Sequence, residues 1–388
     1  MSYLPVDFLL YGADLDKATT DNEKKIKVDP PLADVTPENF NRIFANAINR
    51  AAEGHQKVGI MLSGGIDSAN MLAHLVKNKN IKEIIAYTWG GWGMESTDVR
   101  YSKLSVEKFG IARHRIVCKS EDYAGELSDF RKELVAHGKP LNYFESIPYI
   151  SLRKLMLEDG VTLIYHGQNA DTLWMGYPAP VRVYFASLFL NPLGLGKILN
   201  PFRLIGYYKS NSLYPYVKTP KGYWDRIGKK YAKIAQLDTR LQNKIIMMEQ
   251  AYTESPIRQA HQHGIFEQAG IKVCTPYYDD EVVHFALSVS NKERKRNGWN
   301  KAMLHDVAQL NGVPDEVIKK GKKGLSYGYT SYIKQKLHLP IWDEMAKSEE
   351  LNQYVDISKA RRKKENDFYA FDRLRSLHEF LKTRSINS

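Results

Sequence analysis

The apolar run Val58-Gly59-Ile60-Met61-Leu62 passes directly into Ser63-Gly64-Gly65-Ile66-Asp67-Ser68, and that string into a helix-patterned stretch, 69–77. A buried strand feeding a glycine turn that opens a helix is an α/β unit and, chemically, a phosphate cradle. Glycine lets the backbone come close and take positive φ, so the N–H groups around Gly64 and Gly65 and the hydroxyls of Ser63 and Ser68 can donate to phosphate oxygens. Asp67 adds a carboxylate where phosphates alone would be repelled, and that pairing implies a Mg²⁺ ion between them. A plain Gly-Gly turn with a Ser/Asp helix cap uses the same letters. The strand and helix on either side favour the cradle.

The same alternation runs through the first half of the chain. Thr36 is placed to cap a helix with Pro37 in its first turn, and Phe40, Ile43, Phe44, Ala47 and Ile48 follow at helical spacing. Strands are expected at 58–62, 81–88, 114–118 and 161–165, and helices at 69–77, 97–109, 123–135 and 147–158. Four such units predict an α/β fold with a mostly parallel, doubly wound sheet whose ligands sit at the carboxyl ends of the strands. Both Ser63–Ser68 and the turn Gln168-Asn169-Ala170-Asp171 fall at such ends. The expected organisation is an N-terminal arm over 1–35, the α/β core over 36–177, an aromatic-, Pro- and Gly-rich insertion or lid over 178–222, and a helical remainder with the C-terminal tail over 223–388.

Composition excludes several classes. No apolar run approaches the roughly 18 residues a transmembrane helix needs, and the start lacks the basic-then-apolar order of a signal peptide. Cys118 and Cys274 are far apart and outside any CxxC pair, which argues against a disulfide framework or a cysteine zinc site and suits a reducing cytoplasm. Lys+Arg 56 against Asp+Glu 44 gives +12, favouring anionic ligands. ATP accounts for part of that excess; nucleic acid or a phosphorylated substrate fits it, and so does a generally basic surface. The sharpest basic run, Lys359-Ala360-Arg361-Arg362-Lys363-Lys364, reads as a solvated helix face.

The glycine turn is not a Walker loop, which would read G-x-x-x-x-G-K-[ST]. It resembles the S-G-G-x-D-S loop of the N-type ATP pyrophosphatases, which have the adenine nucleotide alpha hydrolase-like fold and split ATP between its α and β phosphates. His166-Gly167-Gln168-Asn169-Ala170-Asp171-Thr172, followed by Leu173-Trp174-Met175-Gly176-Tyr177, is similar to S-G-E-G-A-D-E-L-F-G-G-Y of the asparagine synthetase family. Thr275-Pro276-Tyr277-Tyr278-Asp279 through Leu287 is similar to V-P-F-L-D-x-x-L-V-x-F-A-L. Asn300-Lys301-Ala302-Met303-Leu304 is similar to K-x-x-L-R, with His305 where Arg is usual, and Lys322-Lys323-Gly324-Leu325-Ser326-Tyr327-Gly328 to K-x-x-F-S-x-G. The resemblance runs from about residue 36 to about residue 341 and covers the synthetase domain of the asparagine synthetase and β-lactam synthetase family.

The resemblance implies an ATP-dependent, amide-forming ligase. A substrate carboxylate, or another acyl-like oxygen, attacks the α phosphate of ATP, pyrophosphate leaves, and ammonia or an amine displaces AMP. Asp171 becomes the second Mg²⁺ ligand, facing Asp67. Lys322, with Lys323 close behind, stabilises the charge that develops as the adenylate forms and breaks. The adenine is expected against the strand ending at Thr88 and the turn Trp89-Gly90-Gly91.

Departures bear on the second half-reaction. Residue 2 is Ser2, where full-length family members expose a catalytic cysteine, so a glutaminase domain is expected to be missing. Nitrogen would then come from solution, from a separate glutaminase, or from an amine substrate. Gln168 stands where the family carries Glu or Tyr, and an amide is no general base. The base then comes from elsewhere, with His166 a candidate, or the amine arrives neutral and Gln168 orients a substrate. Cys274 in place of Arg and Thr172 in place of Glu argue against aspartate as the acid, leaving a small-molecule or polymer-linked acid open. Two other readings stay open: a nucleic-acid-modifying ATP pyrophosphatase, although no nucleic-acid module is recognisable, and a catalytically altered binding subunit.

Overall fold

The structure is a computed structural model that describes residues 3–11, 32–91, 93–176, 213–235, 240–249, 260–296, 298–320 and 329–387. Most of the expected insertion, and Lys322 and Lys323, lie outside the described residues.

Five parallel strands, β1 (Lys57–Met61), β2 (Glu83–Gly91), β3 (Arg113–Cys118), β4 (Leu163–Tyr165) and β5 (Lys272–Cys274), form one sheet in the order β3-β2-β1-β4-β5. The chain leaves β1 toward β2 and β3 and then returns to the other side of β1 for β4. Strand order therefore reverses at β1, and the crevice beyond the carboxyl ends of β1 and β4 is the ligand position of such a sheet. Gly59 at the centre of β1 makes the packing feasible: a Cβ there would lie 3.0 Å from the Tyr87 ring and 3.2 Å from Val161. Tyr87 uses that space, and its hydroxyl donates to Asp159 at 2.8 Å.

The helices are α1 (Leu4–Tyr11), α2 (Pro37–Ala52), α3 (Ile66–Leu75), α4 (Thr97–Lys108), α5 (Tyr123–His137) and α6 (Tyr143–Glu158), followed by a mainly helical remainder. Thr36 caps α2 as expected, its hydroxyl accepting from the Asn39 N–H at 3.3 Å, and the predicted apolar face is the buried one. That face receives the downstream chain: Phe44 packs on Tyr277 with ring centroids 4.6 Å apart, and Phe40 on Phe285 at 5.1 Å.

Three details depart from the sequence reading. β5 was expected to be part of a helical region; its three residues are too few to show a period, and it is recognisable only by pairing beside β4. Helix α6 starts four residues before the expected 147 and carries Pro148 inside it. Its N-terminus has no local side-chain cap. Instead Asp372 and Ser376, in the last helix Phe368–Asn387, accept from the Phe144 and Tyr143 N–H groups at 3.0 and 2.8 Å. Finally, residues Leu4–Tyr11 of the N-terminal arm form a buried helix, α1. Asp7 on it is fully buried, accepts from the Tyr223 hydroxyl at 2.7 Å and pairs with Arg226 at 2.5 Å. No helix among the described residues is long and apolar enough to cross a membrane.

Candidate active site

The glycine turn leaves β1 with Ser63 exposed, while Gly64 has φ +66°. A Cβ on Gly64 would lie 2.7 Å from the Asp98 carbonyl and 2.8 Å from the Ser102 nitrogen, so the turn rests on the backbone of α4. Gly65 takes extended φ −92° and precedes α3 without any side-chain cap. The first-turn N–H groups of α3 thus remain for a ligand, at the helix end whose dipole favours anions. The helix begins at Ile66, so Asp67 and Ser68 stand in its first turn rather than before it.

The two serines divide their work. Ser68 is buried, accepts from the Ser63 N–H at 3.3 Å and donates to the Gly65 carbonyl at 3.1 Å. Its hydroxyl braces the turn. Ser63 is the exposed member, with its hydroxyl 3.3 Å from that of Ser68. Thr88 is also structural: it is 1% exposed and donates to the Leu62 carbonyl at 2.7 Å, tying β2 to the end of β1. Trp89 is buried, and the register slips between Trp89 and Gly91, so the expected adenine turn coincides with a bulge at the end of β2.

The second turn leaves β4 beside the first. The His166 N–H donates to the Cys274 carbonyl of β5 at 2.8 Å. A Cβ on Gly167 would be 3.6 Å from the Cβ of Asp67, so the two turns touch. Asn169 takes φ +73° and donates its amide to the Tyr277 carbonyl at 2.7 Å, while the Tyr277 hydroxyl donates to the Asp67 carbonyl at 3.1 Å. The predicted Thr275–Leu287 segment thereby clasps both turns from below. Gln168 is half-buried between Gly167 and Asn169.

Lys301 joins the two turns. Its Nζ lies 2.5 Å from Asp67 Oδ2 and 2.6 Å from Asp171 Oδ1, and its side chain is 8% exposed. Its N–H donates to the Trp174 carbonyl at 3.1 Å, and it holds φ +59° at the start of the helix Ala302–Leu310. A cation at a helix N-terminus opposes the dipole, and a left-handed φ on a residue with a side chain costs on the order of 1 kcal/mol or more. Both penalties persist because the carboxylates hold the ammonium. In the sequence Lys301 stands out only as part of a K-x-x-L-R-like string.

A second lysine absent from the sequence reading is Lys320. It is 7% exposed, 3.0 Å from Asp98 Oδ1 and 3.4 Å from the Gly64 carbonyl. Lys320 thus lies against the glycine turn immediately before the 321–328 stretch that holds Lys322 and Lys323.

Burial governs the titratable groups around the second turn. It pushes His166 down to about 3, with nearby His263 adding to the effect, and it pushes His263 itself down to about 4. His166 is therefore neutral and weakly basic at neutral pH; its Nε2 is 3.5 Å from the Tyr149 hydroxyl. Burial raises the Cys274 thiol to about 12, so it stays protonated.

The residues present suit a Mg²⁺ shared with phosphates. Two carboxylates already converge on one cation, and Asp67 Oδ1 is buried with no hydrogen-bond partner among the described residues. No group of three or more His, Cys, Asp or Glu suited to a metal occurs among those residues. Mg²⁺ is commonly held by one or two carboxylates plus substrate phosphates. The basic run at 359–364 is mostly paired: Lys359 with Asp356, Arg361 with Asp343 and Glu365, and Lys364 with Asp367. It is a solvated helix face, as its sequence suggests.

Similar proteins bear on the family. A Methanocaldococcus jannaschii protein provisionally named asparagine synthetase 1 (glutamine-hydrolyzing) is 26% identical over 147 residues, 38% of this chain and 26% of its own length. The asparagine synthetase (glutamine-hydrolyzing) of Gallus gallus is 25% identical over 143 residues, 36% of this chain and 25% of its own. These alignments span about a quarter of each relative. Among solved structures, NMN synthetase from Francisella tularensis is 15% identical, with 68% of this chain and 98% of that one covered at a TM-score of 0.28, a likeness on which no conclusion rests. The family model of asparagine synthase matches residues 39–377, past the expected limit near 341 and across every site residue from Ser63 to Lys323. The chain belongs to the asparagine synthase family.

Proposed function

We propose that the chain is an ATP-dependent, AMP-forming ligase that joins a carboxylic acid to a nitrogen nucleophile. The observation that carries the reading is the convergence of Asp67 and Asp171, from the turns after β1 and β4, on Lys301 beside the uncapped start of α3. Anion-binding N–H groups, two carboxylates and a lysine at a switch-point crevice are the parts needed to hold a polyphosphate and cleave it.

The α3 N-terminus and Ser63 bind the phosphates, while Ser68 and the α4 backbone keep the turn in shape. A substrate carboxylate oxygen attacks the α phosphorus, the bond to the bridging oxygen breaks, and pyrophosphate leaves with that electron pair. Asp67 and Asp171 would hold a Mg²⁺ ion, which would supply counter-charge to the departing pyrophosphate. Lys301, Lys322 and Lys323 offset the remaining charge. Nitrogen then attacks the acyl carbon, AMP departs with the former carboxylate oxygen, and the nitrogen loses a proton. Gln168 cannot take that proton and burial leaves His166 a poor base, so the reading has a neutral amine or ammonia attack and the proton pass to AMP or solvent. Ammonia could be supplied by a separate glutaminase.

The test is ATP–pyrophosphate exchange across a panel of carboxylic acids, followed by turnover of an ¹⁸O-labelled carboxylate. The expected result is exchange that depends on one acid and one ¹⁸O delivered to AMP. ATP binding without exchange for any acid, or AMP free of label, would overturn the reading.

A further inference from the structure

Lys301 occupies the space between the two carboxylates that the proposed function assigns to Mg²⁺, and the inference rests on that reading. We infer that Lys301 is the exchangeable counter-ion of Asp67 and Asp171, so that the divalent cation enters with the nucleotide's phosphates and not before them.

Three observations support this. Lys301 Nζ is 2.5 and 2.6 Å from one oxygen of each carboxylate, so an ammonium sits at their convergence. The side chain is 8% exposed and the backbone is held at φ +59° by the N–H bond to Trp174, which keeps the ammonium tethered to the site. The first-turn N–H groups of α3, where phosphates would bind, are uncapped beside it.

The consequence follows from charge. Among the described residues at this convergence, the two carboxylates and one ammonium sum to −1. A divalent cation entering alone would have to displace the ammonium from both carboxylates, and separating a buried charge from its partners is strongly disfavoured. Once phosphates lie at the start of α3, the ammonium gains a new partner and releases both carboxylates together. Metal and pyrophosphate binding are then coupled, each tightening the other by the same factor.

The experiment titrates Mn²⁺ by electron paramagnetic resonance into the full chain with and without inorganic pyrophosphate, for the wild type, Lys301→Met and Lys301→Arg, with circular dichroism confirming folding. The wild type should bind Mn²⁺ weakly alone and at least about tenfold more tightly with pyrophosphate, a free-energy coupling of typical size. Lys301→Met should bind Mn²⁺ without pyrophosphate and lose most of that coupling. Lys301→Arg, which keeps the positive charge, should retain it. Wild-type binding equally tight in both conditions, or no gain in Lys301→Met, would overturn the counter-ion role while leaving the ligase reading intact. No Mn²⁺ binding in any variant or condition would overturn both.

Discussion

Lys320 Nζ lies 3.0 Å from Asp98 Oδ1, and the same ammonium is 3.4 Å from the carbonyl of Gly64. Both side chains are less than 10% exposed. Burial raises the Asp98 carboxyl above its ordinary range, and Lys320 opposes that shift. Removing one partner of such a pair strands the other, at a cost of about 3–5 kcal/mol, whereas removing both is often nearly neutral. Lys320→Met should therefore destabilise the fold strongly, and Lys320→Met with Asp98→Asn should recover more than half of the loss. Urea midpoints for the double-mutant cycle decide it, and additive losses would contradict the pairing.

Gly64 and Gly65 are adjacent in sequence and opposite in tolerance. Gly64 holds φ +66° and has no room for a Cβ against the Asp98 and Ser102 backbone, while a Cβ on Gly65 meets nothing nearer than Ser63 Oγ at 3.5 Å. Gly64→Ala should lose nucleotide binding and destabilise by more than about 2 kcal/mol, combining left-handed strain with a backbone clash. Gly65→Ala should stay within about 1 kcal/mol of the wild type. Thermal melts with and without ATP measure both, and equal losses would show that the turn does not rest on α4.

Asp67→Asn leaves Lys301 its second partner, Asp171, so its thermal midpoint should stay near that of the wild type. Its pyrophosphate release should fall by roughly 100-fold or more, the scale on which charge stabilisation at a transition state is lost. A coupled assay for released pyrophosphate reads this directly. Near-normal turnover in the variant would remove Asp67 from the reaction.

The glycine turn and its flanking elements were legible in the sequence because their signals are local: an apolar run, two glycines, a carboxylate at a fixed offset; Asp171 stood out only through the resemblance of its turn to the asparagine synthetase family. What escaped was decided at a distance. β5 exists because β4 offers an edge to Lys272–Cys274, and the start of α6 is set by Asp372, 228 residues from Phe144. Lys301 is 234 residues from Asp67, and only folding shows that it lies between the two carboxylates. Thr88 and Ser68 show the converse. Their residue types suit a ligand, but neighbouring backbone carbonyls, of Leu62 and of Gly65, already hold their hydroxyls.

Asp372 should give the fold a measurable pH dependence. Its carboxyl accepts from the Phe144 N–H at 3.0 Å, and burial, the largest influence, raises it from 3.8 to about 7. Glu145 raises it further, while the Phe144 N–H, Arg375 and Arg373 oppose the rise. In the unfolded chain the group loses its proton near its ordinary value; in the folded chain it keeps it until about pH 7. The folded state binds more protons across that window, so this group's contribution is fully present below about pH 4 and declines as pH rises toward 7, by up to about 1.4 kcal/mol per pH unit. Asp372→Asn keeps an oxygen for the Phe144 N–H and removes the titration. Its stability relative to the wild type should therefore climb from pH 4 to pH 7 and level off above, in denaturant melts taken at each pH. A difference that stays flat across that range would mean that Asp372 is already ionised in the folded protein.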